Sequence, residues 1–195
     1  MSSENSETRK KILETTWKLL ESGGPSAVRM SDIARSTGIS RQAVYLHFPS
    51  RAELLIATTR YLDEVKDVDA RLEASRSAAS GLERLDAYIE AWGNYIPEVY
   101  GVARALVAMQ ETDEAARVAW KDRMDAVRHG CEAAVAALRK DGALSKDLTA
   151  REATDLLASL LSIEQWAQLR EHGGWSQPRY ITLMQRTARL SLCAK

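Results

Sequence analysis

The sequence predicts an all-α protein with a small N-terminal three-helix head and a larger helical body. Three observations lead to this prediction. No segment of the 195 residues shows convincing period-two alternation of apolar and polar side chains, which a half-buried strand would require. Apolar side chains instead recur at helical spacing, between residues that favour helix ends. About 50 residues suffice for the head, and the remainder is long enough to bury its own core.

The first helix is predicted over residues 8–21. It follows a polar arm at residues 1–7, which we expect to be disordered. Apolar side chains recur along the helix at helical spacing, and the Gly-Gly-Pro run at residues 23–25 is expected to end it.

The segment from Ser31 to Phe48 is predicted to form two short helices joined by a tight turn. Ser31 is a candidate N-cap for the first of them, and Gly38 can end it in a left-handed conformation. Ser40 is a candidate N-cap for the second helix, which Pro49 prevents from continuing. Two helices joined by so few residues must cross steeply, which is typical of a helix-turn-helix unit.

The side chains of this unit divide into an inner and an outer set. Ala34 is the small residue that a steep crossing needs, and apolar residues at 33, 39 and 44 can form the core between the two helices. The outer set offers a guanidinium and an amide for base edges, and a phenol and an imidazole for phosphates. An ordinary helix pair could have the same spacing, and that alternative stays open. The outer side chains of the second helix are Arg41, Gln42, Tyr45, Leu46 and His47.

A capping box at Ser50 and Glu53 predicts that a third helix begins immediately after this unit and can run to about residue 69. Its first turn presents Arg51 and free backbone N–H groups beside the second helix. This arrangement suits binding of a DNA phosphate.

At these positions the chain resembles the TetR family of bacterial transcriptional regulators. The resemblance is carried by RKKILETTWKLLESGG (9–24), SDIARSTGIS (31–40) and VYLHFPSRAELL (44–55). It implies that Arg41, Gln42 and Ala43 face bases, and that Tyr45, His47 and Arg51 hold the DNA backbone. The family most often has Lys where this chain has Arg51. The predicted DNA-binding residues are Ser31, Ser40, Arg41, Gln42, Ala43, Tyr45, Leu46, His47 and Arg51.

The charge distribution agrees with a head that binds DNA. The formal net charge of the chain is zero, but residues 1–60 hold nine Lys or Arg against six Asp or Glu. The chain contains neither a signal peptide pattern nor an apolar run long enough to span a bilayer, so we expect a cytoplasmic protein.

We predict a helix-turn-helix DNA-binding domain at residues 8–55 and a regulatory, ligand-binding and dimerisation domain at residues 56–195. The family resemblance implies a homodimeric repressor that binds a palindromic operator and that a small-molecule effector releases. The helices of the body are expected near residues 82–95, 97–109, 112–140, 149–171 and 177–192.

The last two predicted helices carry apolar residues on more than one face, so one face can pack inward and another against a second subunit. The alternative is that both helices lie in the core of a monomer. The residues predicted at the dimer interface are Leu157, Leu160, Leu161, Tyr180, Leu183, Met184 and Leu190.

Large apolar side chains with a few polar groups in the central helices are candidates for a ligand pocket. Such residues at helical spacing can equally form an ordinary core, and Glu164 could face solvent or pair with an arginine. The candidates are Trp92, Tyr95, Tyr100, Met109, Trp120, Met124, His129, Glu164 and Trp166.

An enzyme is the competing class. The three histidines, His47, His129 and His172, belong to no recognisable catalytic or metal-binding arrangement, and there is no Gly-rich phosphate loop. We therefore expect no catalytic residues, no metal and no cofactor. A helix-turn-helix protein regulated by a protein partner, rather than by a small ligand, remains the alternative function.

Overall fold

The computed structural model describes residues 2–22 and 28–194, and the side chains of these residues except those of 2 and 3. Helices account for 81% of the structure, the described residues contain no strand, and the predicted all-α fold is confirmed. The helices are α1 (Ser2–Ser22), α2 (Met30–Thr37), α3 (Arg41–His47), α4 (Arg51–Val65), α5 (Val68–Arg71), α6 (Glu73–Arg76), α7 (Gly81–Met109), α8 (Glu114–Lys140), α9 (Ala150–Leu160), α10 (Ile163–Ala167) and α11 (Gln177–Leu192), with a π-helical turn at Gln168–His172.

The chain divides into two compact units. Unit 1 contains the residues up to Lys66 together with Val99–Met124, and unit 2 contains Asp67–Glu98 together with the residues from Asp125 onward. The predicted division between residues 55 and 56 therefore does not coincide with this division. Unit 1 includes all of α4 and a part each of α7 and α8.

In unit 1, α1 packs against α2 and α4, and α2 packs against α3. The predicted core of the helix-turn-helix unit is confirmed: Ile33, Ala34 and Val44 are buried, and Ile39 is half-buried. Burial of these apolar side chains fixes the crossing of α2 and α3.

Two helix starts differ from the prediction. α1 begins at Ser2, so the expected disorder is wrong for residues 2–7, and Glu4 lies in the first turn, where its charge complements the helix dipole. The predicted stop at residues 23–25 lies outside the described residues. α2 begins at Met30 with Arg29 at the N-cap position, so Ser31 lies inside the helix and is not its cap.

α4 ends at Val65, earlier than the predicted residue 69. The cause is local: Asp67 adopts a left-handed conformation with φ of 54°, which a continuing right-handed helix does not allow. The chain then continues in the short helices α5 and α6.

α7 is continuous through Pro97, where the sequence predicted a break between two helices. A proline inside a helix leaves the carbonyl four residues earlier without its helical partner. Here that carbonyl belongs to Gly93, and it accepts a hydrogen bond from Gln177 Nε2 at 2.6 Å. A side chain of α11 thus satisfies the acceptor that the proline leaves open.

The predicted helix at residues 149–171 is interrupted. Its capping box at Thr149 and Glu152 is confirmed, with both reciprocal hydrogen bonds present. The chain leaves the helix after Leu160, and Ser162 caps α10 by accepting a hydrogen bond from the Gln165 amide at 3.1 Å. The predicted bounds of the last helix, 177–192, match those of α11.

Candidate nucleic-acid interface

The turn between α2 and α3 has the geometry of a tight helix-turn-helix connection. Gly38 has φ of 77°, as the left-handed end of α2 requires, and its amide donates to Ala34 O at 2.9 Å. Ser40 caps α3 as predicted, because its Oγ accepts a hydrogen bond from the Ala43 amide at 3.0 Å. These contacts fix the direction in which α3 leaves the turn.

Gly38→Ala is expected to lower the free energy of unfolding by about 1 kcal/mol, because an L residue is strained in the left-handed region. A Cβ at this position would meet no heavy atom within 4 Å, so the cost comes from the backbone conformation alone. Chemical denaturation measures it. The exposed α2 residue Ser36 provides the control, and an equal loss in Ser36→Ala would contradict this account.

α3 is anchored on one side and open on the other. Val44 is fully buried, whereas Tyr45 is 38% exposed and Leu46 is 82% exposed. This leaves a polar face with one prominent apolar side chain, a combination that suits base edges and thymine methyl groups. Of the predicted DNA-binding residues, Ser31, Ser40, Arg41, Gln42, Tyr45 and Leu46 are exposed, and Ala43 and His47 are half-buried.

The Arg41 guanidinium lies along this exposed face. Its carbon Cζ is 5.5 Å from the centre of the Tyr45 ring, and Nη2 donates to the Tyr45 hydroxyl at 3.3 Å. Tyr45 therefore orients Arg41 one helical turn away from it, at the N-terminal end of α3.

A second cation lies at the other end of α3. The guanidinium carbon of Arg9, on α1, is 4.6 Å from the centre of the Phe48 ring, and Phe48 is the residue that follows α3. Arg9 begins the family-like segment at residues 9–24, but the sequence did not identify this contact, since the partners are far apart in the chain. α3 thus has a positive group near each end.

Arg51 has a different environment from the one predicted for a phosphate contact. Its Nε donates to the Val28 carbonyl at 2.6 Å, and Nη1 donates to the Asp113 carboxylate. Nη2 lies 3.9 Å from the sulfur of Met109. The guanidinium is thus engaged inside unit 1, and the sequence provided no indication that Asp113 is its partner.

The predicted ligand-pocket residues fall in both units. The rings of Trp92 and Tyr95, in unit 2, have centroids 5.9 Å apart. His129 and Glu164, which were predicted to line a ligand pocket, are exposed and therefore do not line an enclosed one. Trp166, also in unit 2, is buried. In unit 1, Met109 and Trp120 are buried, and Tyr100 and Met124 are half-buried.

The predicted dimer residues also divide into two groups. Leu157, Leu161, Tyr180 and Met184 are buried within unit 2 and form part of its own core, so placing them at an interface was wrong. Leu160 and Leu183 are half-buried. Leu190 is 71% exposed, and Leu156, which the sequence did not single out, is 48% exposed.

Among residues 2–22 and 28–194, no helix combines the length and apolar character needed to cross a membrane. In the same part of the chain, no three His, Cys, Asp or Glu side chains are grouped so that they could hold a metal ion.

The head is similar in sequence to known regulatory proteins. The family profile for bacterial regulatory proteins of the tetR family matches residues 12–58. The transcriptional regulator BetI of Rhizobium meliloti is 38% identical over 82 residues, which are 42% of this chain and 39% of that protein. The chain thus spans about two fifths of the length of the curated relatives it matches.

Solved structures share the fold over nearly the whole chain. A transcriptional regulator of Saccharomonospora viridis in complex with choline is 23% identical, with a TM-score of 0.74, over 97% of this chain and 100% of that one. NalD of Pseudomonas aeruginosa, the secondary repressor of the MexAB-OprM multidrug efflux pump, is 21% identical. Its TM-score is 0.70 over 98% of each chain.

Proposed function

Since this chain belongs to the TetR family of bacterial regulatory proteins, we propose that it is a homodimeric repressor of transcription. The dimer binds a palindromic DNA operator, and a small-molecule effector releases it from that operator. The observation that carries this proposal is the outer face of α3. Val44 anchors the helix, and Arg41, Gln42, Tyr45 and Leu46 are left exposed beside a rigid turn. These side chains can recognise base edges in a major groove. Because the DNA of a bacterium lies in the cytoplasm, the protein acts there.

Selection of bound duplexes from a random DNA pool tests the proposed operator binding. We expect a palindrome to be enriched, with half-sites separated by roughly one helical turn or a multiple of it, about 34–36 Å per turn. Arg41→Ala is carried in parallel and should change the selected half-site. Failure of the folded protein to enrich any sequence at low salt would reject operator recognition and favour regulation through a protein partner.

The proposed dimer interface lies on α9 and α11, which pack against each other in unit 2. Leu156 and Leu190 are the large apolar side chains that these two helices leave most exposed to solvent. A two-fold axis through this surface would join two helix pairs in a four-helix contact. Leu157 and Leu161, which lie next to this surface in the sequence of α9 and its C-terminal end, are buried in the same unit.

Leu156→Glu combined with Leu190→Glu is expected to convert the dimer to a monomer, because four carboxylates would then be buried across the two-fold contact. Sedimentation velocity measures the change. Leu82→Glu is the matched control, since Leu82 is 40% exposed on α7 of the same unit. If the double variant stays dimeric, the surface around Leu156 and Leu190 is not the dimer interface.

The proposed effector is an organic cation bound by unit 2. Two observations support this choice: a structural neighbour was solved with choline, and the ring of Tyr95, which pairs with that of Trp92, already contacts a cation. The guanidinium carbon of Arg71 is 5.8 Å from the centre of the Tyr95 ring, and Arg71 Nη2 is 2.7 Å from Glu98 Oε1. An aromatic face beside a carboxylate is suited to an ammonium group.

Choline titrated into the protein–duplex complex is expected to lower the fraction of duplex bound. Trp92→Leu should abolish this response while leaving duplex binding without choline intact, and Leu82→Ala serves as a control outside the aromatic pair. Unchanged duplex binding at saturating choline would reject this ligand class. A protein partner as the regulator would then be the better hypothesis.

A further inference from the structure

Arg51 is held in place by three contacts in unit 1. As the first residue of α4, it lies only four positions after His47, the last residue of α3. Its side chain is nevertheless only 20% exposed, because the guanidinium turns toward Val28 O, Asp113 and Met109. A cation adjacent to the recognition helix is thus neutralised by a carboxylate 62 residues away in the chain.

Asp113 has two functions in this arrangement. Its Oδ1 accepts a hydrogen bond from the Ala116 amide at 3.2 Å, in the first turn of α8, and its Oδ2 binds Arg51. Burial by itself raises the pKa of Asp113, but the hydrogen bonds from Arg51 and from the Ala116 amide outweigh this effect and lower it. The carboxylate is therefore ionised at neutral pH and available as a full counter-charge.

The pair lies at one end of a longer row of ionic contacts between α4 and α8. At the other end, Arg60 Nη2 is 2.6 Å from Asp122 Oδ1, and Arg123 contacts both Asp122 and Asp63. All these residues belong to unit 1. None of these three ion pairs involves Arg51 or Asp113, so we expect them to persist when the Arg51 pair is lost.

We propose that Asp113 is a positioning residue that holds Arg51 away from the DNA backbone, and that release of this pair allows Arg51 to bind a phosphate. The inference rests on the proposed function, because it requires α3 to lie on DNA. A carboxylate and a phosphate accept hydrogen bonds from the same guanidinium groups, so the two compete for Arg51. Duplex binding with Asp113 engaged therefore uses one phosphate contact fewer than the head can make.

The test uses Asp113→Asn, which removes the charge but keeps a side-chain oxygen for the cap of α8. The affinity for the selected operator is measured at several salt concentrations. We expect Asp113→Asn to bind roughly threefold to tenfold more tightly at low salt, with a salt slope steeper by about 0.9, the value for one added phosphate contact. Asp113→Ser, which also keeps a capping oxygen, provides a second variant should the first fold poorly.

Asp122→Asn is the matched control. It removes one negative charge from the same ionic row, but it leaves Arg51 and Asp113 paired. The gain in affinity and in slope should be absent in Asp122→Asn, and also in the double variant Arg51→Ala/Asp113→Asn. A purely structural function of the pair would instead weaken binding at every salt concentration without changing the slope.

Several outcomes would overturn the inference. Equal salt slopes for Asp113→Asn and Asp122→Asn would show that the effect comes from the loss of one negative charge in general, and not from the release of Arg51. Weaker binding by Asp113→Asn would show that the Arg51–Asp113 pair stabilises the DNA-bound head. If the unmodified protein binds the operator while the slopes are equal, only this inference fails. If the unmodified protein binds no duplex at low salt, the proposed function fails, and the inference fails with it.

Discussion

Gln177→Ala is expected to lower the free energy of unfolding by about 3 kcal/mol, because it removes three hydrogen bonds that join α11 to three other helical segments. The amide of Gln177 donates to Gly93 O at 2.6 Å. Its Oε1 accepts from Trp166 Nε1 at 3.1 Å and from Arg170 Nε at 3.0 Å. Chemical denaturation followed by circular dichroism measures the loss.

Two further variants distinguish the loss of the Gln177 hydrogen bonds from the general effect of shortening a glutamine to alanine. Gln168→Ala removes an exposed glutamine from the same unit and should change the stability by no more than about 0.5 kcal/mol. Pro97→Ala returns a backbone N–H that can reach Gly93 O, so Gln177→Ala should cost about 1 kcal/mol less in that background. Equal costs in both backgrounds would show that Gln177 does not compensate for the proline.

Arg41→Ala and Gln42→Ala are expected to reduce discrimination between operator variants by about 1–3 kcal/mol, the contribution of a good base-edge contact. Both residues lie in the first turn of α3 with exposed side chains. His47→Ala should instead weaken binding to all duplexes by a similar factor, as loss of a backbone contact does. Fluorescence anisotropy with the selected operator and single-base variants measures both effects.

Tyr45→Phe provides an additional control for Arg41. It removes the hydroxyl that accepts from Arg41 but keeps the aromatic ring beneath the guanidinium. We therefore expect weaker binding to all duplexes while discrimination is largely retained. If Tyr45→Phe reduced discrimination as much as Arg41→Ala, the assignment of Tyr45 to the DNA backbone and of Arg41 to bases would be wrong.

The helix-turn-helix unit was predictable because the residues that build it are neighbours in the chain. Gly38 and Ser40 determine the turn through their own backbone and side chain, and the apolar periodicity that buries Ile33 and Val44 is a local pattern. Ser31 is the exception within the unit. As a serine it could cap a helix, but α2 begins one residue earlier, with Met30 buried in the core of unit 1.

The body was less predictable, because distant residues decide whether a proline interrupts a helix and whether an apolar side chain is buried. Pro97 predicted a break, but Gly93 at the fourth position before it and Gln177 on α11 allow α7 to continue. The apolar residues of α9 and α11 predicted two packed faces. Only burial in the folded chain assigns Leu157 to the core and Leu190 to the surface.

The all-α class, the turn between α2 and α3, and the residues exposed on α3 could be predicted from the sequence, since helix ends and periodicity depend on nearby residues. The direction of the Arg51 side chain depends on the fold, because its partner Asp113 is 62 residues away and no local pattern links them. The same holds for Gln177 and Gly93, separated by 84 residues. A side chain's rotamer and charge partner are set by whatever the fold brings beside it.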